Sequence, residues 1–83
     1  MVHLKPLRNP VTLSDTWVSR LESRFTRDYG PEVRVDPNVR SVDTDGPEPM
    51  CRVWIRSGTG KRYSEKVRVP RGELHGIDGE AVA

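Results

Sequence analysis

The stretch MCRVWIRSGTGKRYSEKVRV, residues 50–69, decides the fold. Its two runs, 50–57 and 61–69, alternate apolar and polar residues with period two, as half-buried strands do, and Ser57–Gly58–Thr59–Gly60 joins them. Loop length sets the register, and a one-residue slip turns every side chain of one strand to the other face. A three-residue loop, Gly58–Thr59–Gly60, with Gly60 left-handed in a bulge, places Ser57 opposite Lys61. One face then carries Cys51, Val53, Ile55, Tyr63, Val67 and Val69, with Glu65 as its single polar member. The other carries Arg52, Trp54, Arg56, Arg62, Ser64, Lys66 and Arg68. A two-residue loop would set Trp54 opposite Tyr63 and Arg52 opposite Glu65, pairs worth about 1 kcal/mol together. It would also bury Arg62 or Lys66 beside Val53 and Ile55. Each buried aliphatic side chain stabilises by about 1.5–3 kcal/mol, so the coherent apolar face wins and the three-residue loop is expected.

That register concentrates charge. Residues 50–72 hold seven of the fourteen basic residues (Arg52, Arg56, Lys61, Arg62, Lys66, Arg68 and Arg71) against one acid, Glu65, a local charge of +6. The neighbouring segments 32–49 and 73–83 each sum to −3, so the net charge of +2 conceals a basic segment between two acidic ones. Such clustering is the electrostatic footprint of a polyanion-binding surface. Arg52–Lys66 and Arg56–Arg62 become like-charged cross-strand neighbours, a repulsion that a bound polyanion relieves. Trp54 lies between Arg52 and Arg56 on one strand, where an exposed indole stacks a base while guanidinium groups take phosphates. Two other places suit the same tryptophan: under the N-terminal segment or the arginine stems, or at the centre of a protein–protein contact. Arginine outnumbers lysine eleven to three. Its planar fork matches phosphate, although a GC-rich genome produces the same bias.

Upstream, the clearest element is an amphipathic helix over about residues 14–29. Ser14 is a good N-cap, Asp15 suits the positive end of the helix dipole, and Gly30–Pro31 stops the helix. Trp17, Val18, Leu21, Phe25 and Tyr29 recur at spacings of three and four. Arg20, Arg24 and Arg27 form a stripe beside them, a solvated face or secondary contacts for the same polyanion. Glu32–Val33–Arg34–Val35–Asp36 alternates as a strand, Asp36–Pro37–Asn38 is turn chemistry, and a second short strand follows near Val39–Asp43. Residues 43–49 read as a polar loop. The expected fold is α+β: one amphipathic helix on a three- to four-stranded antiparallel β-meander. A flexible N-terminal arm (1–12), a single α+β domain (13–70) and an acidic Gly-rich tail (71–83) make up the chain.

Eighty-three residues allow one domain, too small to bury more than about 60% of its unfolded surface, so a homodimer is compatible with its size. No apolar run reaches the length of a membrane span and the N-terminus lacks a signal-peptide core. With Cys51 as the one cysteine, no internal disulfide forms, which fits a reducing compartment, and a cytoplasmic protein is expected. Gly60–Lys61 is not a phosphate loop, since G-x4-G-K-[ST] needs Gly at 55 and Ser or Thr at 62, where Ile55 and Arg62 stand. Cys51, His3 and His75 have no metal-ligand spacing, and Ser57, Thr59 and Ser64 have no base beside them. Glu73, His75 and Asp78 lie close in sequence but on a glycine-rich segment that offers no rigid frame for catalysis. A non-enzymatic protein with no cofactor and no metal is expected. It binds nucleic acid through Arg52, Trp54, Arg56, Arg62, Lys66 and Arg68, with Arg20, Arg24 and Arg27 as secondary contacts. The alternative is an adaptor, inhibitor or assembly subunit, for example of a phage or mobile element, that meets an acidic protein surface or another partner through Trp54, the arm and the acidic segments.

Overall fold

Along the chain come β1 (Lys5–Leu13), α1 (Asp15–Tyr29), β2 (Arg34–Val35), β3 (Asn38–Asp43), β4 (Met50–Arg56), β5 (Arg62–Arg68) and β6 (Leu74–His75). They belong to a computed structural model that describes residues 5–43 and 47–76. A single 3₁₀ turn, Arg71–Glu73, leads into β6.

The β4–β5 hairpin adopts the three-residue loop. The Ser57 N–H donates to the Lys61 carbonyl at 2.9 Å and the Gly60 N–H to the Ser57 carbonyl at 2.9 Å. Gly60 has φ of +90°, a backbone region that side-chain-bearing residues rarely enter. Cross-strand partners run from Met50–Arg68 through Arg52–Lys66 and Trp54–Ser64 to Arg56–Arg62. Cys51, Val53, Ile55, Val67 and Val69 are all buried, while Trp54, Arg56, Arg62, Lys66 and Arg68 are exposed.

β5 occupies one edge of β4 along its whole length. β2 and β3 therefore share the other edge, β2 at Arg56 and Ile55 and β3 at Arg52, Cys51 and Met50. Asp36–Pro37–Asn38 bends this strand without reversing it. The Asp36 N–H still donates to the Trp54 carbonyl at 2.9 Å, and Asp36 Oδ1 accepts from the Asn38 N–H at 2.9 Å and from Asn38 Nδ2 at 3.1 Å. Proline has no N–H to give the ladder, and the aspartate–asparagine pair holds the bend it leaves.

The sheet extends beyond the expected meander. Residues 5–12, read from sequence as an arm, are already β1, a strand between β3 and β6. Val11 and Leu13 are both buried, and that burial draws the segment into the sheet despite Pro6 and Pro10. Its pairing to β3 shifts register between Pro6 and Val11. The first part of the expected tail is also structured: Leu74 is buried, and Leu74 and His75 pair with Leu13 and Thr12. The remainder of the arm (1–4), the middle of the acidic loop (44–46) and the end of the tail (77–83) lie outside the described residues. The order across the sheet is thus β6, β1, then β3 with β2, then β4, then β5.

Helix α1 covers one face of this sheet. Ser14 caps it, its Oγ accepting from the Trp17 N–H at 3.1 Å and donating to the Glu73 carboxylate, which ties the helix start to the 3₁₀ turn. Gly30, at φ of +97°, ends it by donating its N–H to the Thr26 carbonyl at 3.0 Å. Leu21 and Phe25 are fully buried, and Trp17, Val18 and Tyr29 pack half-buried around the same core. Glu22 Oε2 accepts from the Val35 N–H at 2.9 Å, fastening the helix to β2. No helix among the described residues is long and apolar enough to cross a membrane.

The conformation at Gly60 makes the hairpin register testable. Gly60→Ala forces a Cβ into a left-handed backbone and is expected to lower stability by about 1–2 kcal/mol. Gly72→Ala meets no atom within 4 Å and has no positive φ, so it should stay within about 0.5 kcal/mol of the wild type. Urea unfolding of both variants measures the difference, and equal stabilities would contradict the three-residue loop.

Candidate nucleic-acid interface

Since Cys51, Val53 and Ile55 are buried in the core that Leu21 and Phe25 of α1 share, the alternate residues of β4 point to the opposite face of the sheet. Residues directly opposite one another on paired strands share a face, so the pairings lay that face out in rows. Arg34, Arg56 and Arg62 form one row across β2, β4 and β5. Trp54 and Ser64 form the next, with Asp36 alongside through its backbone bond to Trp54. Ser41, Arg52 and Lys66 follow, then Asp43, Met50 and Arg68. Neighbouring strands are about 4.8 Å apart and same-face rows along a strand about 7 Å apart. Six cations and two carboxylates therefore occupy a surface roughly 10 Å wide and 20 Å long.

Trp54 stands near the middle of that surface at 37% exposure, the one large hydrophobic side chain exposed among the described residues. Of the three places open to it from sequence, this exposure removes the buried one, and both a stacking platform and the centre of a protein–protein contact agree with it. A groove of about 650 Å³ runs past it, lined by Arg34, Asp36, Arg52, Trp54, Arg56 and Arg62 with Val35 and Ile55. A smaller hollow of about 380 Å³ continues along Arg34, Arg56 and Arg62 to the hairpin loop, with Glu32 in its lining. Gly58 allows Glu32 to come this close to the loop, because a Cβ there would sit 2.9 Å from Glu32 Cβ. Arg52 Nη1 donates to Ser64 Oγ at 3.0 Å, and Ser64 faces Trp54 across the strand pair. The Arg52 guanidinium is therefore anchored beside the indole. Arg68 Nη1 donates to the Glu48 carbonyl at 3.2 Å. Both of these bonds go to neutral acceptors, so each guanidinium keeps its full charge for an anion.

The six hairpin residues expected at the site, Arg52, Trp54, Arg56, Arg62, Lys66 and Arg68, are thus assembled on one face. The three helix residues are not. Arg20, Arg24 and Arg27 lie on α1, across the sheet from the groove. Arg20 rests over the Trp17 ring at 5.0 Å and Arg24 over the Phe25 ring at 5.7 Å, while Arg27 sits in the last turn, where a cation suits the helix dipole. Arg34 joins the site without having been singled out. Its alternation with the buried Val33 and Val35 already turns it outward, but its place beside Arg56 depends on a pairing twenty-two residues away in sequence.

The inner face holds β5 in position through Glu65, the polar member that interrupts the apolar pattern. Tyr29 donates its hydroxyl to Glu65 Oε2, and the Tyr29 and Tyr63 rings pack at 4.7 Å between centroids. The hydrogen bond to Glu65, and then burial, push the Tyr29 hydroxyl up to about 12 from 10.0. Burial likewise pushes the Cys51 thiol up to about 12, making Cys51 an inert core group and not a nucleophile.

No protein-family model, curated protein or solved structure matches this chain, so its chemistry is read from this geometry.

The Tyr29–Glu65 bond makes a pH-dependent contribution to stability. The folded protein holds the Tyr29 proton more tightly than the unfolded chain, so this contribution is complete below pH 10.0 and is lost as pH rises towards about 12. Tyr29→Phe lacks it, and lysine titration is common to both proteins. Urea unfolding from neutral pH to about pH 12 should show the wild-type advantage over Tyr29→Phe vanish across that interval; a constant advantage would contradict the assigned bond.

Proposed function

We propose that this protein is a small, non-enzymatic nucleic-acid-binding accessory factor whose contact surface is the outward face of β2, β4 and β5. The observation that carries this reading is the row Arg34–Arg56–Arg62, three guanidinium groups placed side by side on adjacent strands next to an exposed Trp54. Like charges opposite one another destabilise a sheet, and arginine is the side chain best matched to phosphate oxygens. Phosphates seated along the row turn this repulsion into attraction. The face presents no helix or ribbon that enters a groove, so the binding is mainly electrostatic and weakly dependent on sequence. A protein partner is the second reading, and it draws on the same residues, since tryptophan and arginine are enriched where interfaces concentrate their binding energy.

Fluorescence anisotropy with labelled duplex and single-stranded oligonucleotides, repeated at several salt concentrations, tests the proposal. Micromolar or tighter binding is expected, with log affinity falling against log salt at a slope of about −3 to −5. Arg56→Ala/Arg62→Ala should weaken binding and reduce the slope by about 1.4–1.8, the share of two phosphates. Both side chains are exposed, and removing them relieves repulsion, so the double variant should fold at least as well as the wild type. Unchanged affinity in that variant would exclude this face, and no binding at low salt would leave the protein partner as the reading to pursue.

A further inference from the structure

We infer that the groove beside Trp54 receives an unpaired strand, with one base stacked on the indole and the flanking phosphates on the arginines either side of it. This inference rests on the nucleic-acid reading above and specifies which form of nucleic acid the site takes. The first argument is the position of Trp54. It lies one row from Arg56 and one row from Arg52 along β4, so cations stand about 7 Å from it in both directions along the strand. An aromatic ring flanked by cations on both sides matches the repeat of a single strand, in which each base is attached to a phosphate before and after it. In a duplex the faces of internal bases are covered by their neighbours, and an indole on a sheet reaches only the backbone.

The second argument is the shape of the surface. A groove of about 650 Å³ lined by Trp54, Asp36 and four arginines falls within the range of sites that enclose a small organic ligand, and a nucleotide is of that size. Duplex readers instead project a helix or a two-stranded ribbon into the major groove. Here the cations lie on a broad sheet face, and the tip of the only long hairpin among the described residues is Gly58–Thr59–Gly60, which offers no Arg, Lys, Asn or Gln to read a base edge.

The third argument is pre-organisation. The bond from Arg52 to Ser64 holds one guanidinium beside the indole before any ligand arrives, so less side-chain freedom is lost on binding. Glu32 lines the loop end of the path, Asp43 stands in its last row and Asp36 in the row of Trp54 itself, so the phosphates seat on the arginines to either side of the indole. Base faces and phosphates are common to DNA and RNA, and the site therefore takes either sugar.

In Trp17→Phe, Trp54 is the only indole of the chain and reports the groove directly. This protein is titrated with oligo-dT and oligo-U of about 12 nucleotides, a length within the usual single-strand site range, and with a duplex of equal length. Both single strands should quench Trp54, bind more tightly than the duplex and differ from each other by no more than a few-fold. Trp54→Ala in the otherwise wild-type chain should weaken single-strand binding by about 5- to 150-fold while leaving duplex binding nearly unchanged. Trp54→Phe, which keeps a ring, should recover part of the loss and controls for folding together with the circular dichroism spectrum. Duplex affinity equal to or above that of the single strands, or full single-strand affinity in Trp54→Ala, would overturn the single-strand assignment while leaving nucleic-acid binding in place. Absence of binding to all three would overturn both.

Discussion

Seven consecutive cross-strand pairs between β4 and β5, from Met50–Arg68 to Arg56–Arg62, are the constraint on which the rest of the molecule depends. They give α1 an apolar surface to cover and collect the cations on the opposite face in the same step. The two outcomes are inseparable because side chains alternate strictly along a strand. A slip of one residue would bring Arg62 or Lys66 under the helix and scatter the basic face. The loop that prevents the slip depends on Gly60, which supplies the left-handed backbone of the turn at φ of +90°.

This arrangement is electrostatically poor but energetically tolerable. Like-charged cross-strand pairs each destabilise by a few tenths of a kcal/mol up to about 1 kcal/mol, and water screens exposed ones further. The inner face of the same two strands buries Cys51, Val53, Ile55 and Val67, at about 1.5–3 kcal/mol for each aliphatic. Burial therefore dominates, and the fold sustains a row of three guanidinium groups that would separate if they were free. Tyr29, packed against the Tyr63 ring and donating its hydroxyl to Glu65, holds β5 against the helix so that the row stays in place.

Much of this was legible in the chain because it is local. The period-two runs around Ser57–Gly60, the cap at Ser14, the aromatic and aliphatic stripe from Trp17 to Tyr29 and the stop at Gly30 all act within a few residues, and each appears where the pattern places it. What escaped reading is non-local. The aliphatics of residues 1–12 allow that segment to be pinned to the body, but they do not show that Val11 will be buried in a strand between β3 and β6, since Pro6 and Pro10 argue for an arm and the strands that cover it lie more than twenty-five residues on. The acidic, glycine-containing segment after Pro70 hides β6 in the same way, because only Leu74 marks it. At the site, the hairpin half of the arginine row is local and was readable. Arg34 was turned outward by its own strand, but the bend at Pro37 that lets β2 and β3 share one edge of β4 is what sets it beside Arg56. The helix arginines were the converse case: angular spacing placed them in a stripe, and only the packing of α1 shows that the stripe and the groove face opposite ways.

The measurement that tests the central claim most directly is residue-resolved NMR of the amide and indole resonances during addition of a short single-stranded oligonucleotide. The account predicts that perturbations concentrate at Arg34–Asp36, Arg52–Arg56 and Arg62–Arg68, with the Trp54 indole among the largest, while Arg20, Arg24 and Arg27 on α1 stay near their free positions. Perturbations centred on the helix arginines, or spread evenly over both faces of the sheet, would contradict it.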